Sequence, residues 1–163
     1  MNNAKGFVVR SEESRIGTAF TMKGVTSNRL DLKIASSDTE GGLSVWVQNG
    51  HSPYGGPPLH LHPHQDEFFF VLEGRYQFRV GGDYYMLEAG DTIFLPRNIP
   101  HAFIQLTQEA RMLLAYQPAG KMEGFFRKTA AINTALTKEE VAALFAEHDM
   151  LVVGPPLKYN GNE

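Results

Sequence analysis

Cysteine is absent from this sequence of 163 residues. Disulfide bonds and thiolate metal ligands are therefore excluded, and any metal site must be built from nitrogen and oxygen donors. An excess of basic charge is absent as well, because 15 Lys and Arg residues stand against 18 Asp and Glu residues and no Lys/Arg-rich run occurs. We therefore expect neither nucleic acid nor an anionic membrane among the partners.

Long apolar segments are missing too. No run of apolar residues comes near the roughly 20 that a transmembrane helix requires. Residues 1–15 are polar and lack the apolar core of a secretory signal. Together with the lack of cysteine, these features lead us to expect a cytoplasmic protein.

The length and composition suit one globular domain. A chain of 163 residues can bury a sizeable core, and 42% of its residues are hydrophobic. We expect a single domain over residues 1–163, with a β region at about 16–117 and a helical extension at about 120–150.

Alternating apolar and polar residues mark short strands within the β region. In residues 30–34, for example, every second side chain is apolar. Turns rich in Gly, Asn and Asp separate the strands, and a Gly-Gly turn joins segments 75–80 and 83–87 as a hairpin. Many short strands at hairpin spacing predict an all-β sandwich or barrel.

The C-terminal part changes to helical spacing. A first helix is predicted by four residues that share one face: Met122, Phe125, Phe126 and Thr129. A second helix is predicted to begin after Thr137, because Glu140 three residues later completes a capping box. Each helix has one apolar stripe, so we expect both to pack on the outside of the β region.

An apolar tail follows the second helix. Residues 151–153 are Leu-Val-Val, and Gly-Pro-Pro comes directly after them. Because a free apolar tail would be exposed to water, we expect it to dock. Two places are open: the outer surface of the β region, or the rim of an interior cavity, where the tail would act as a lid.

The most informative pattern is His-Leu-His-Pro-His-Gln-Asp-Glu at residues 60–67. His60 and His62 point to the same side of a strand because side chains alternate between its faces. A turn after the strand can bring Glu67 back beside them. His101 can then join from a second hairpin, and three imidazoles with one carboxylate form a site for a divalent metal.

A histidine-rich surface loop is the alternative interpretation of this segment. It predicts polar residues after the cluster, whereas Phe-Phe-Phe-Val-Leu follows at 68–72, as expected of a buried strand. A carboxylate that leads into such a strand is costly unless it is paired or coordinated, so we favour the metal site. Four nearby or isolated residues are not expected to be ligands: His51, His64, Asp66 and His148.

Strand alternation also places aromatic residues beside this site. Phe69 shares the face of Glu67, and Phe103 shares that of His101. Both phenylalanines are expected to face the interior, either as core or as the wall of a cavity. Trp46 either lines the cavity or lies on the outer surface.

The sequence resembles the cupin family at two signatures that lie in register and cover residues 55–105. In the first, HxH is followed by Glu after four residues and by Gly after six more: His60, His62, Glu67 and Gly74. In the second, glycine, proline and histidine recur at the family's spacing: Gly90, Pro96 and His101.

Three positions depart from these signatures. Tyr54 stands where the first signature begins with glycine, and Asn98 stands where the second has its central glycine. Asparagine is the non-glycine residue best suited to a left-handed turn, so the second change should be tolerated. Gln105 replaces a final asparagine that is not a metal ligand in the family.

The resemblance implies an all-β fold, the cupin double-stranded β-helix or jelly-roll barrel, with a metal inside. It implies that His60, His62, Glu67 and His101 hold one divalent transition metal, which could be iron, manganese, nickel, cobalt, copper or zinc. A Met-x-x-Phe-Phe helix and a trailing Val-Val-Gly-Pro-Pro segment look most like quercetin 2,3-dioxygenase-type cupins.

Three functions are compatible with this resemblance. The first is a metal-dependent dioxygenase for a small aromatic or enolic molecule such as a flavonol, with Glu67 as a catalytic base toward an acidic hydroxyl. The second is a metal-dependent isomerase or lyase for a sugar or keto acid, which would need cationic groups inside the barrel. Three arginines lie near the motifs: Arg75, Arg79 and Arg97. The third is a cupin that binds a small molecule without turnover.

We also expect a homodimer. Cupin barrels have exposed sheet edges, which a partner subunit or a swapped N-terminal strand commonly covers. Residues 7–26 are long enough to supply such a strand.

Overall fold

A computed structural model describes residues 5–23 and 25–159, and residues 1–4, 24 and 160–163 of the expected domain lie outside the described part. The strands are β1 (Phe20–Thr21), β2 (Arg29–Ile34), β3 (Ser44–Gly50), β4 (Pro58–Leu61), β5 (Asp66–Glu73), β6 (Arg75–Val80), β7 (Asp83–Glu88), β8 (Thr92–Leu95), β9 (His101–Gln105), β10 (Ala110–Gln117) and β11 (Leu151–Pro156). The helices are α1 (Met122–Ala130) and α2 (Lys138–Glu147).

The strands form two antiparallel sheets. The first has the order β1-β2-β3-β10-β5-β8, and the second has the order β11-β4-β9-β6-β7. Most neighbours within each sheet are distant along the chain, as expected of a jelly roll. Both sheets contribute apolar side chains to one core, including Leu30, Trp46, Phe69, Tyr76, Phe78, Phe103, Met112 and Leu114. The all-β architecture predicted from the sequence is confirmed.

Strand β5 shows why the site lies inside the molecule. Glu67, Phe69 and Val71 are buried on one face of the strand, whereas Phe70 and Leu72 on the other face are each more than a third exposed. Because successive side chains of a strand point to opposite faces, the carboxylate of Glu67 points to the interior. The predicted hairpin is also present, as β6 and β7 joined by the Gly-Gly turn.

Both helices lie outside the two sheets, and their apolar stripes close over the interior. The ring of Phe126 in α1 lies 4.7 Å from that of Trp46, which is fully buried and so does not lie on the outer surface. The predicted capping box of α2 is confirmed, because Thr137 Oγ1 accepts a hydrogen bond from the amide of Glu140 and the Glu140 carboxylate accepts one from the amide of Thr137.

The apolar tail takes neither of the two places expected from the sequence. Leu151–Pro156 is an edge strand of the second sheet and pairs with β4, with Val152 opposite His60. The backbone groups of β4 would otherwise be an unpaired sheet edge, and β11 satisfies them. Leu151 and Val153 point outward and are about half exposed, so the backbone holds this tail more than its side chains do.

The described N-terminal residues run beside β2 of the same chain. The amide of Arg15 donates to the carbonyl of Leu32, and the guanidinium of Arg15 pairs with Asp38.

Neither α1 nor α2 has the length and apolar character needed to cross a membrane, and no other helix of residues 5–23 and 25–159 does.

Candidate metal centre

Four side chains meet at one point between the sheets: His60, His62, Glu67 and His101. The histidines belong to the second sheet, because His60 lies in β4, His62 follows directly after it, and β9 begins with His101 opposite His60. Glu67 comes from β5 in the first sheet. One ligand atom from each residue lies within 4.8 Å of all the others, and all four residues are buried. The sequence prediction that these residues converge is confirmed, and they could hold a metal ion.

Backbone carbonyls orient two of the imidazoles. His60 Nδ1 lies 2.8 Å from the carbonyl oxygen of Pro58, and His101 Nδ1 lies 3.0 Å from that of Ile99. A carbonyl only accepts hydrogen bonds, so each Nδ1 carries the proton. In the neutral ring Nε2 then keeps a lone pair, which is the form that binds a metal.

The atoms that face one another in the centre have no satisfactory protein partner. Among the described residues, His62 Nε2, Glu67 Oε2 and His101 Nε2 are buried without a hydrogen bond of acceptable geometry. Yet Glu67 Oε2 lies 2.6 Å from His101 Nε2 and 3.3 Å from His62 Nε2. Imidazole lone pairs directed at a carboxylate would repel it, so a cation, either a proton on a ring or a metal ion, must lie among these atoms. The donor set therefore fits a divalent transition metal.

The crowding of these groups shifts the pKa values of Glu67, His60 and His101. Burial disfavours the charged carboxylate of Glu67, but the neighbouring His62 and His101 outweigh burial and lower the pKa of Glu67 to about 2. Burial, with His101 and His62 beside it, holds the pKa of His60 well below its usual range. Burial also opposes a charge on His101, but the adjacent Glu67 outweighs it and raises the pKa of that imidazole.

Tyr116 is a member of the site that the sequence interpretation missed. It lies directly opposite Glu67 in the pairing of β10 with β5, and its ring stacks on that of His62 at 5.9 Å. Burial raises the pKa of the Tyr116 phenol, and contact with the Glu67 carboxylate raises it further. The alternation of β10 carried a signal, because Tyr116 shares a face with the buried Met112 and Leu114.

The residues that were not expected to be ligands lie elsewhere. His64 is exposed, and Asp66 pairs with Arg97. His51 contacts Glu109 at the surface, while His148 Nδ1 bonds to a carbonyl of α2.

A cavity of about 40 Å³ adjoins the four residues. Its wall is largely apolar and includes Phe69, Phe103, Leu114, Met122, Phe125, Phe126, Phe145 and Met150. Phe69 and Phe103 are thus cavity wall as well as core. Among the described residues that line the cavity, none is Lys or Arg. Gln48 lines it too, and the buried Nε2 of Gln48 has no hydrogen-bond partner in the described chain.

The three departures from the cupin signatures have structural explanations. Tyr54 and Asn98, which stand where the signatures have glycine, both adopt positive φ, at 66° and 65°. The left-handed turns are therefore kept without glycine. Gln105 is buried, and its Nε2 donates to the carbonyls of Thr107 and Gln108, which ties the end of β9 to the next turn.

Comparison with known families agrees with this geometry. The family model described as Cupin domain matches residues 52–116, a stretch that contains all four residues of the centre. Residues 52–116 of the chain are a cupin domain. Two curated proteins resemble parts of this chain: an uncharacterized protein of Streptomyces coelicolor, 32% identical over 57 residues, and quercetin 2,3-dioxygenase of Bacillus subtilis, 31% identical over 65 residues. These matches cover 34% and 40% of the chain, but only 54% and 19% of the relatives' own lengths.

Solved structures show the same fold. A predicted oxalate decarboxylase of Thermotoga maritima aligns with a TM-score of 0.61 at 18% identity, over 69% of this chain and 99% of that chain. An RmlC-like cupin of Shewanella frigidimarina aligns with a TM-score of 0.59 at 17% identity, over 73% and 96% of the two chains. At these identities the likeness concerns the fold.

Proposed function

We propose that the protein is a metal-dependent dioxygenase that acts on a small aromatic or enolic molecule, such as a flavonol. One observation carries this proposal: the three histidines and one glutamate open onto a wall of phenylalanines with no Lys or Arg among the described lining residues. A planar apolar molecule suits such a wall, whereas a sugar phosphate or keto acid would need a cation there. The isomerase or lyase alternative is therefore disfavoured.

We assign the metal ligands as His60, His62, Glu67 and His101. A bound divalent transition metal supplies Lewis acidity and, for iron, manganese, nickel, cobalt or copper, redox chemistry. The partial similarity to quercetin 2,3-dioxygenase of Bacillus subtilis, 31% identical over 65 residues, supports the choice of dioxygenase chemistry.

In this proposal the main role of Glu67 is to bind the metal, and it acts as a base only under a further condition. Its carboxylate, with a pKa lowered to about 2, is ionised at neutral pH but is a weak base while the histidines surround it. It can accept the proton of an acidic enol only when its contacts with the histidines loosen. The phenol of Tyr116 stays protonated, because its pKa is raised, and can hold the carboxylate in place.

The helices determine how a substrate reaches this centre. A cavity of about 40 Å³ holds only one to a few water molecules, since each needs at least about 10–15 Å³. Phe125 and Phe126 of α1 and Phe145 of α2 line it, and all three rings are buried. These rings exclude water, and an aromatic substrate must displace them to enter.

The small cavity favours a second candidate, a metal-binding cupin that takes up a small ligand without turnover. Oxygen consumption separates the two. Protein purified without a histidine tag and loaded in turn with each candidate metal is assayed in an oxygen electrode with flavonols and other aromatic enols. Metal-dependent oxygen uptake that is lost in the His101→Ala variant supports the dioxygenase. Tight ligand binding without oxygen uptake for any metal supports the second candidate and contradicts the first.

A further inference from the structure

The side chain of Gln65 lies between the metal centre and the start of α1. Its Oε1 lies 2.8 Å from His62 Nδ1, and its Nε2 lies 2.8 Å and 2.9 Å from the carbonyl oxygens of Pro118 and Ala119. Gln65 is only 5% exposed, so water does not substitute for these partners. One buried amide thus contacts a metal-site histidine at one end and the segment before α1 at the other.

These contacts fix the orientation of the amide and the tautomer of His62. Two carbonyl oxygens can only accept, so the atom of Gln65 that faces them is the NH₂ group. The opposite atom must then be the carbonyl oxygen, which accepts a hydrogen bond from the Nδ1–H group of His62. The neutral His62 ring is therefore protonated at Nδ1, and its lone pair lies on Nε2, toward the centre of the site.

His62 differs in this respect from the other two histidines. His60 and His101 donate from Nδ1 to the backbone carbonyls of Pro58 and Ile99, which no substitution of a side chain removes. The orienting acceptor of His62 is a side chain, and it can be exchanged. His60 and His101 can therefore serve as reference rings when the acceptor of His62 is removed.

The other end of Gln65 lies beside the segment that leads into α1. Gly120 follows Pro118 and Ala119 at a φ of +54°, and a Cβ added there would lie 2.5 Å from Gln65 Nε2. Helix α1 begins two residues later with Met122, which lines the cavity. A shift of the amide would therefore reach both His62 and the helix that closes the cavity.

We propose that Gln65 is a positioning residue that holds His62 in its metal-binding tautomer and couples metal binding to the closure of α1 over the cavity. The proposal rests on the assignment of His62 as a metal ligand, but not on dioxygenase activity. Coupling of this kind is reciprocal, so metal binding should stabilise the closed helix and disturbance of the helix should weaken metal binding.

The first test replaces the amide by an apolar group of similar shape. In metal-free Gln65→Met protein, ¹⁵N NMR at a pH where the rings are neutral should show His62 losing its single Nδ1-protonated form, while His60 and His101 keep theirs. Affinity for Co²⁺ should fall about 10- to 100-fold, the range found when partners of metal-binding histidines are removed. An unchanged His62 tautomer with Co²⁺ affinity within twofold of wild type would overturn the proposal.

The second test approaches the same contact from the other side and does not touch Gln65. Gly120→Ala should weaken Co²⁺ binding and speed hydrogen exchange of α1 amides, because the added methyl group displaces the Gln65 amide. Gly17→Ala is the matched control, since Gly17 has a similar φ of +66° and nothing lies within 4 Å of the added Cβ. Equal Co²⁺ affinity in the two variants, or metal binding that leaves α1 exchange unchanged in the wild type, would contradict the coupling.

Discussion

Glu67 Oε2 and His101 Nε2 lie 2.6 Å apart although their strands, β5 and β9, belong to different sheets. The contact therefore bridges the interior of the molecule. A cation bound by both residues would link the two sheets as well as provide a reactive centre. Metal binding and stability should consequently be measured together.

Removal of the metal should lower the stability of the fold. A ligand present at 100 times its dissociation constant stabilises the native state by about 2.7 kcal/mol. For a domain of this size we expect the melting temperature to fall by roughly 5–10 °C on chelation, at about 2–4 °C per kcal/mol. Differential scanning calorimetry of the loaded and chelated protein measures the change.

The single variants His62→Ala and His101→Ala should lose most of the bound metal and most of this stabilisation. His51→Ala and His148→Ala are the controls for metal content, because neither side chain is among the four that converge. Full metal content in a His62→Ala, His101→Ala double variant, measured by elemental analysis, would refute the assignment of the ligands.

Phe145 should control access to the centre. Its ring lies edge-on to His60 at 5.1 Å and to Phe125 at 5.0 Å, and it is buried. Phe145→Ala should cost about 3–5 kcal/mol of stability and should speed the loss of metal to a chelator at a temperature well below melting. Phe94→Ala, at a site that is 59% exposed, should not speed the loss of metal. Equal rates of metal loss in the two variants would show that the helices do not restrict access.

Deletion of residues 151–163 should affect the metal centre through the sheet. The deletion removes β11, the neighbour of β4, and leaves the strand of His60 as an unpaired edge. We expect a lower melting temperature together with faster metal loss. A truncated protein that matches the full-length chain in both measurements would show that β11 contributes to neither property.

The ion pair of Asp66 and Arg97 should make a small contribution to stability that depends on pH. Hydrogen bonds from the Arg97 guanidinium and amide lower the pKa of Asp66. A carboxyl with a lowered folded-state pKa stabilises the fold above the unfolded value of about 3.9, and this contribution disappears as the pH falls through the folded-state value. The difference in stability between wild type and Asp66→Asn should thus be present at pH 6 and shrink as the pH falls below the unfolded-state value. A difference in urea midpoints that does not change with pH would contradict this.

The homodimer remains a prediction from the sequence, and the structure suggests where to test it. Phe70, Leu72 and Phe94 are exposed side by side on the outer face of β5 and β8, and β8 is an edge strand. Apolar patches of this kind mark interaction sites. Light scattering at micromolar concentration should give about twice 18.1 kDa for the wild type and a lower mass for Phe94→Asp. A mass of about 18 kDa for the wild type would count against the dimer.

Much of the site could be predicted because its signals are local. The alternation of a strand places His60 and His62 on one face, and the burial pattern of β5 turns Glu67 inward. The arrival of His101 from another hairpin required the resemblance to cupins, since spacing alone does not determine which strands meet. The cytoplasmic location and the single domain over residues 1–163 remain predictions.

Other parts could not be predicted, because they depend on contacts between distant segments. Alternation along β10 turns Tyr116 inward, but only the pairing of β10 with β5 brings it opposite Glu67. The contact of Gln65 with Pro118 spans 53 positions. The prediction for the tail at 151–156 used only its apolar side chains. Its position is determined instead by backbone pairing with β4.

The pairing of β11 with β4 also limits how the cavity can widen. The two helices connect β10 of one sheet to β11 of the other, so the segment that closes the cavity is fixed at both ends and cannot swing as a free flap. A large opening would first have to peel β11 from the strand that carries His60. Rotation of the rings of Phe125 and Phe145 requires no such break. The protein should therefore select ligands by their thickness, so that flat molecules enter the cavity more readily than bulky ones of equal mass.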